Sequence, residues 1–264
     1  MSKSATVLSV EVHAGSQPIV KISGQADFHN QHQISEAFEE LFNKKKYIIQ
    51  TDLEDLHYID SSALSTLIKC ADQANKAGGR IELISISKQV SRVLTLCGAA
   101  MFFKADIRDV PVSNDDGRVL PSENFWHVSN FCFQASPGAI TFARKRVAEV
   151  IRSLPLSSSD CHDTLVAVGE ALANAIKHGC GCDPQLRITV KCVAGPNRLA
   201  IDITDPGKGF HPDNVPPPSP KTLIEGGMGI YIMRELMDEV SFSFDGNTTV
   251  RLVKYIPNIT SKTS

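Results

Sequence analysis

The sequence lacks a membrane-spanning segment, because no apolar run approaches the roughly 18 residues that such a helix needs. Its opening stretch, MSKSATVLSVEVHAG, has no apolar core of the kind found in a secretory signal. The net charge is only −2, so the composition gives no electrostatic reason to expect a nucleic-acid partner. We therefore expect a cytoplasmic protein that has neither membrane nor nucleic acid as a direct partner.

An even set of cysteines, typical of a disulfide framework, is also missing. The seven cysteines are an odd number scattered through apolar surroundings, which favours a reducing cytosol. Cys180 and Cys182 lie beside His178 and raise the question of a metal site. No second ligand pair accompanies them, so an ordinary loop after a helix is the favoured interpretation.

The length of 264 residues, with 42% hydrophobic residues, suits two domains of ordinary size. In residues 1–110, β-rich runs alternate with helical apolar spacing, which predicts a small α/β domain. Residues 111–123 are polar and rich in turn-forming residues, and we interpret them as a linker. Residues 124–264 form the second predicted domain, again with both helices and strands. The expected fold class is thus a two-domain protein of α/β and α+β type.

A helix with the sequence EALANAIKHG forms the centre of the second domain. Glu170, Asn174 and His178 are four residues apart and are expected on one face. A carboxylate can act as a general base, and an amide oxygen is a hard ligand that suits magnesium. The opposite face carries an apolar stripe formed by Leu165, Val168, Leu172 and Ile176.

Two glycine clusters follow this helix. In DPGKGF, Asp205 can accept a hydrogen bond from an exocyclic amine, while Gly207 and Gly209 let the backbone approach a flat ring or a phosphate. In EGGMGIYIMRE, Gly227 and Gly229 lead into a helix predicted over 230–240, whose N-terminus favours a polyanion.

A long segment, 211–226, separates the two glycine clusters and contains five prolines. It is predicted to be irregular. A lid over bound nucleotide and a disordered loop are both compatible with this composition.

The segment from about 124 to 257 resembles the anti-sigma-factor serine kinases, a branch of the ATPases that includes gyrase and histidine kinases. AVGEALANAIKHG, DPGKGF and GGMGIYIMRELMDEV match their first, second and third motifs. The resemblance implies a histidine-kinase-like ATPase α/β sandwich that uses ATP and Mg²⁺. It implies Glu170 as general base, Asn174 as metal ligand and Asp205 as adenine reader. Contacts to the nucleotide would come from Gly207, Gly209, Gly227, Gly229 and Thr249.

The first domain contains LEDLHYIDSSALSTLI and SGQAD, which resemble the anti-sigma-factor antagonist (STAS) domains. The resemblance implies that Ser61 is phosphorylated by a cognate kinase, with Asp27 and Asp60 as acidic neighbours. Ser62 stays open as a rival acceptor. From the residues alone, Ser61 or Ser62 would be interpreted instead as the N-cap of the following helix.

The two resemblances together imply a partner-switching regulator in which a serine kinase is fused to its antagonist-type phosphoacceptor. The implied partners are a sigma factor or similar target, an antagonist in cis or in trans, and a serine phosphatase, with a homodimer left open. A non-catalytic nucleotide-binding docking protein is the alternative. A sensor histidine kinase is disfavoured, because the predicted helix over 138–153 carries no histidine and His127 falls in a predicted strand.

Overall fold

Alternating strands and helices form the first part of the chain, as the sequence predicts. The computed structural model describes residues 7–105, 127–136, 138–209, 218–225 and 227–257. The predicted linker, 111–123, lies outside these residues. The first elements are β1 (Ser9–His13), β2 (Ile19–Ala26), α1 (His32–Asn43), β3 (Ile48–Leu53), β4 (Leu56–Ile59), α2 (Ser61–Lys76), β5 (Arg80–Ile86), α3 (Lys88–Leu96), a 3₁₀ turn (Ala99–Phe102) and β6 (Lys104–Ala105).

The described strands of this part run in the order β1-β2-β3-β5-β6, and β4 pairs with β2. Only β1 is antiparallel to its neighbour within these residues; the other pairs are parallel. Parallel pairs need crossover connections, and α1 and α2 are long enough to supply them. The helical apolar spacing of this part of the sequence predicts a buried stripe on each helix, and Phe38 in α1 and Leu67 in α2 are indeed buried. Each such side chain contributes about 1.5–3 kcal/mol through burial.

The second part of the chain is organised around an antiparallel sheet. Its described strands run in the order β10-β11-β9-β8-β7, and every pair among them is antiparallel. Alternation of buried and exposed residues in β8 shows that one face of the sheet is covered. The elements are β7 (His127–Gln134), α4 (Ala139–Ile151), α5 (Ser158–Asn174), β8 (Arg187–Ala194), β9 (Arg198–Asp205), α6 (Pro220–Glu225), α7 (Gly229–Leu236), β10 (Glu239–Ser243) and β11 (Thr248–Tyr255).

The chain groups into two compact units that are not continuous in sequence. The first unit comprises Met1–Val112 with Pro216–Ile232, and the second comprises Ser113–Val215 with Met233–Ser264. Helix α6 therefore belongs to the first unit, where it contacts α2. The prediction that 211–226 is irregular throughout is wrong for α6. Pro220 at its first position has a fixed φ that suits a helix start.

The predicted helix over 230–240 is too long. Helix α7 ends at Leu236, and strand β10 begins at Glu239. The reason lies in the sequence EVSFS, whose alternating residues pair with Thr249–Val253 of β11. Tertiary pairing with β11 thus overrides the apparent continuation of the helical pattern.

Candidate functional site

Helix α5 carries the two residues predicted to act on a triphosphate. It begins after Ser157, whose Oγ accepts a hydrogen bond from the Asp160 backbone N–H at 3.0 Å. Glu170 and Asn174 both lie within the regular helix and therefore share one face. Glu170 is fully buried, whereas Asn174 is half-buried at the last helical position. The helix is buried on nearly all sides, so the expected contrast between a buried and an open face is reduced.

The regular helix does not continue through His178. Beyond Asn174 the chain forms a π-helical turn, Ala175–Gly179. The Cys180 N–H donates to the carbonyl oxygen of Ala175 at 2.8 Å. This bond spans five residues, as in a π-helix, and not the four of an α-helix. His178 therefore does not follow Asn174 at α-helical spacing, and its side chain is exposed. Such turns occur frequently at functional sites, and this one places Gly179 against strand β9.

Asp205 ends β9 and forms a tight cluster with two glycines. Its Oδ1 accepts a hydrogen bond from the Gly207 backbone N–H at 2.8 Å. A Cβ added to Gly179 would lie 2.1 Å from that same oxygen. A Cβ on Gly207 would lie 2.7 Å from Oδ1 and 2.7 Å from the Gly179 Cα. Only glycine fits at either position without a shift of its neighbours.

Burial raises the pKa of the Asp205 carboxyl above its ordinary value, and the hydrogen bond from Gly207 partly offsets this effect. The residue is only 4% exposed. Its second oxygen, Oδ2, receives no hydrogen bond from the residues that the structure describes. A buried acceptor with this free capacity suits an amine donor from a ligand.

Strand β11 completes the cluster from the other side. Thr248 pairs with Asp205, and its Oγ1 donates to the Gly207 carbonyl oxygen at 3.0 Å. The hydroxyls of Thr249 and Thr204 are 2.8 Å apart across the same strand pair. The turn before β11 uses Gly246, whose φ is 72°. Gly207 is thus fixed through both its N–H and its carbonyl group.

Gly209 has a φ of 87° and lies against an aromatic ring. A Cβ at this position would lie 2.4 Å from Cδ1 of Phe244. The motifs in the sequence predict no role for Gly179, Thr248 or Phe244. Gly179 is the glycine that closes the first motif, which is a signal present in the sequence, whereas the contacts formed by Phe244 depend on the pairing of distant strands.

Gly227 and Gly229 belong to the first unit by the grouping of the chain. Gly227 has a φ of 98°, which requires glycine, and Gly229 opens the eight-residue helix α7. Their role as phosphate ligands stays a prediction. The elements that carry the other residues predicted to bind nucleotide pack together in the second unit. Helix α5 contacts β11, and the π-helical turn contacts β9.

The candidate phosphoacceptor lies at the start of α2. The N-cap of this helix is Asp60, whose Oδ1 accepts from the backbone N–H groups of Ser62 at 3.0 Å and Ala63 at 2.8 Å. The interpretation of Ser61 or Ser62 as the cap is therefore wrong. An aspartate accepts these bonds with a charged oxygen, which is stronger than a hydroxyl at a helix N-terminus. Ser61 and Ser62 occupy the first two helical positions.

Both acidic neighbours of Ser61 lie in one buried loop region. Asp60 donates its backbone N–H to the Ala26 carbonyl at 3.0 Å, next to Asp27 in the chain. Oδ2 of Asp60 accepts from the Phe28 N–H at 2.9 Å, and Oδ1 of Asp27 accepts from the His29 N–H at 3.0 Å. The carboxylates thus fix the ends of β2 and β4 beside the candidate acceptor.

The described part of the chain has neither a metal-ligating cluster nor a membrane-spanning helix. The described residues contain no group of three or more histidine, cysteine or acidic side chains arranged to hold a metal ion, and this includes the stretch from His178 to Cys182. No helix within them has both the length and the hydropathy needed to cross a membrane.

Two family matches divide the chain. Residues 8–111 match the STAS domain, and residues 133–254 match the histidine kinase-like ATPase domain. The serine-protein kinase RsbW of Bacillus licheniformis is 31% identical over 130 residues, which cover 46% of this chain and 81% of that protein. The anti-sigma F factor of Bacillus cytotoxicus is 32% identical over 135 residues, covering 49% and 92%. The RsbW of Bacillus subtilis is 28% identical, covering 46% and 81%.

These relatives cover less than half of this chain, while the chain covers most of each relative. The STAS match accounts for the part that precedes them. The chain therefore belongs to the family of anti-sigma-factor serine-protein kinases, with a STAS domain joined to its histidine-kinase-like ATPase domain.

Proposed function

We propose that this chain is a partner-switching regulator: an ATP-dependent protein-serine kinase and anti-sigma factor fused to its antagonist-type phosphoacceptor domain. The observation that carries the proposal is the presence of both halves of one switch in a single chain. One half is the cluster of Gly179, Asp205 and Gly207 beside α5. The other is Ser61 at the start of a helix capped by Asp60.

The cluster around Asp205 suits the adenine end of ATP. Oδ1 of Asp205 is held by Gly207, which leaves Oδ2 to accept a hydrogen bond from the exocyclic amine. Gly207, Gly209 and Thr249 would line the adenine side. Gly227 and Gly229 would contact the phosphates through backbone N–H groups at the start of α7.

Glu170 and Asn174 suit the transfer step. Glu170 would take the proton of the attacking serine hydroxyl, since a positioned carboxylate can act as a general base. The half-buried amide oxygen of Asn174 is a hard ligand of the kind that Mg²⁺ accepts. Mg²⁺ commonly takes one or two protein ligands together with phosphates and water, so one amide is compatible with the site. When bound, the ion would neutralise charge on the transferred phosphoryl group.

Ser61 is the proposed acceptor, with Ser62 as its rival. A phosphate adds nearly two negative charges, here beside the buried carboxylates of Asp27 and Asp60. Such a change can abolish a complementary interface without unfolding the domain. The proposed partners are a sigma factor or similar target, an antagonist domain in cis or in trans, a serine phosphatase and a second copy of the chain. The seven cysteines are free, which fits a cytoplasmic location.

Mass spectrometry of the purified protein after incubation with Mg-ATP tests the proposal. We expect phosphoserine at Ser61, lost in Ser61→Ala and retained in Ser62→Ala. Glu170→Gln should keep nucleotide binding but slow transfer by about 10²–10⁴-fold. ATP binding without phosphoserine on this chain or on any separate antagonist would contradict the kinase and favour a nucleotide-binding docking protein.

A further inference from the structure

Helix α6 packs on α2 within the first unit through one hydrogen bond and one buried side chain. The Ser65 hydroxyl donates to the Ile224 carbonyl oxygen at 2.8 Å. Leu223, the apolar residue beside it, is only 2% exposed. Ile224 lies in the last turn of α6, where carbonyl groups have no partner within the helix. The hydroxyl from α2 therefore supplies a partner that α6 cannot provide for itself.

A helix of six residues is too short to be stable alone in water. At its start, the Ser219 N–H donates to Thr222 Oγ1 at 2.7 Å, and the Thr222 N–H donates to Ser219 Oγ at 3.1 Å. This reciprocal capping stabilises the first turn. The remaining stabilisation comes from burial of Leu223 and from the bond to Ser65. Formation of α6 is consequently linked to its docking on α2.

The docking position is one helical turn from the proposed phosphoacceptor. Ser61 and Ser65 are four residues apart in α2, so they lie on the same face. In the chain, α6 falls between Gly209 and Gly227, inside the region that matches the ATPase family. A segment of the ATPase sequence thus contacts α2 at Ser65, on the face that Ser65 shares with Ser61.

We propose that α6 is an autoinhibitory docking helix. The chain's own segment 219–225 occupies this face of α2 and thereby shields it from a second protein. The proposal rests on the proposed function, because the shielded face is the one that a separate kinase chain must approach. Release of α6 would then expose Ser61 to phosphorylation in trans.

Hydrogen exchange of the full-length protein tests the docking without requiring kinase activity. Leu223→Asp places a charge at the buried contact and should increase deuterium uptake in peptides covering residues 62–72. Lys221→Asp is the matched control, because Lys221 is exposed on the same helix and makes only a 3.8 Å pair with Glu225. Equal uptake in both variants and the wild type would overturn the docking role, whatever the outcome for the kinase.

Transfer between chains tests the shielding. An acceptor chain carrying Glu170→Gln is phosphorylated only by added wild-type chain. Ser65→Ala, introduced into this acceptor chain, removes the hydrogen bond to Ile224. We expect phosphorylation of Ser61 in the acceptor to rise about fivefold, and to rise further when the acceptor carries Leu223→Asp. Ser65→Ala keeps a small residue in α2 and guards against a folding defect in the other variant. An unchanged or lower rate in both variants, with uptake increased, would overturn the shielding.

Discussion

Gly179 and Asp205 are in such close contact that a single methyl group on Gly179 would lie 2.1 Å from the aspartate Oδ1. The contact joins the end of the first ATPase motif to the start of the second. It depends on the π-helical turn that follows Asn174, because this turn directs Gly179 toward β9. The geometry of the proposed adenine pocket is therefore fixed by a backbone feature as well as by side chains.

The first prediction concerns Gly179→Ala. The added Cβ must displace the Asp205 carboxylate, so the acceptor for the adenine amine should move away from its position. We expect ATP binding at least about tenfold weaker, equivalent to about 1.4 kcal/mol, by titration calorimetry. Gly181→Asn is the control: Gly181 has a φ of 57°, which asparagine tolerates, and space is open around it. Unchanged affinity in Gly179→Ala would contradict the proposed role of this contact.

The second prediction is that Asp205→Asn stabilises the nucleotide-free protein while weakening ATP binding. Burial raises the pKa of Asp205, so the folded state binds the proton of this carboxyl group more tightly than the unfolded chain does. The contribution of Asp205 to the free energy of unfolding is therefore greatest below the unfolded pKa and is lost as the pH rises through the folded pKa. At neutral pH the buried carboxylate is therefore destabilising, and the amide removes that charge while keeping an acceptor for Gly207.

Thermal unfolding at pH 7 and at acidic pH checks this prediction. The Tm advantage of Asp205→Asn should be present at pH 7 and shrink as the pH falls through the folded pKa. Asp202→Asn is the control, since Asp202 lies on the opposite face of β9 and pairs with Arg251 at 2.6 Å. That exposed pair contributes little, so ATP affinity should not change. A lower Tm for Asp205→Asn than for the wild type at pH 7 would contradict the predicted stabilisation.

Most elements could be predicted because their apolar spacing is regular. The apolar spacing that includes Phe38 in α1 matches the buried positions of the structure. The residue pattern alone favours Ser61 or Ser62 as the N-cap of α2, whereas Asp60 forms it. Serine and aspartate can both cap a helix, and Asp60 is additionally held by the Phe28 N–H, which comes from a distant part of the chain.

Other features of the site could not be found by local patterns. The π-helical turn has no distinct spacing in the sequence, and it ends at Gly179, which packs against Asp205 from a distant strand. Helix α6 is hidden in a proline-rich segment, because its six residues carry one buried apolar side chain and depend on Ser65 in α2. Both features arise from tertiary contacts, which override local propensity.

The third prediction is that Asp60→Ala destabilises the STAS domain independently of phosphorylation. Asp60 is fully buried, and its carboxylate accepts three backbone N–H groups from Phe28, Ser62 and Ala63. Loss of the cap together with an unsatisfied buried donor should cost about 1–3 kcal/mol. Hydrogen exchange at the first turn of α2 measures the effect. Asp60→Asn keeps one acceptor oxygen and should lose less, and equal protection in the alanine variant would contradict the capping role.

The fourth prediction separates Ser61 from Ser62 as the regulatory position. Ser61→Asp places a charge on the face of α2 that also carries Ser65, close to the buried Asp27 and Asp60. A negative charge in the first turn is favourable for the helix, so the domain should stay folded. The charge should still weaken association with a separate kinase chain, measured by calorimetry with Leu223→Asp present in both proteins to expose α2. Ser62 lies on another side of α2, so Ser62→Asp should weaken this association much less. A larger loss with Ser62→Asp would transfer the regulatory role to that residue.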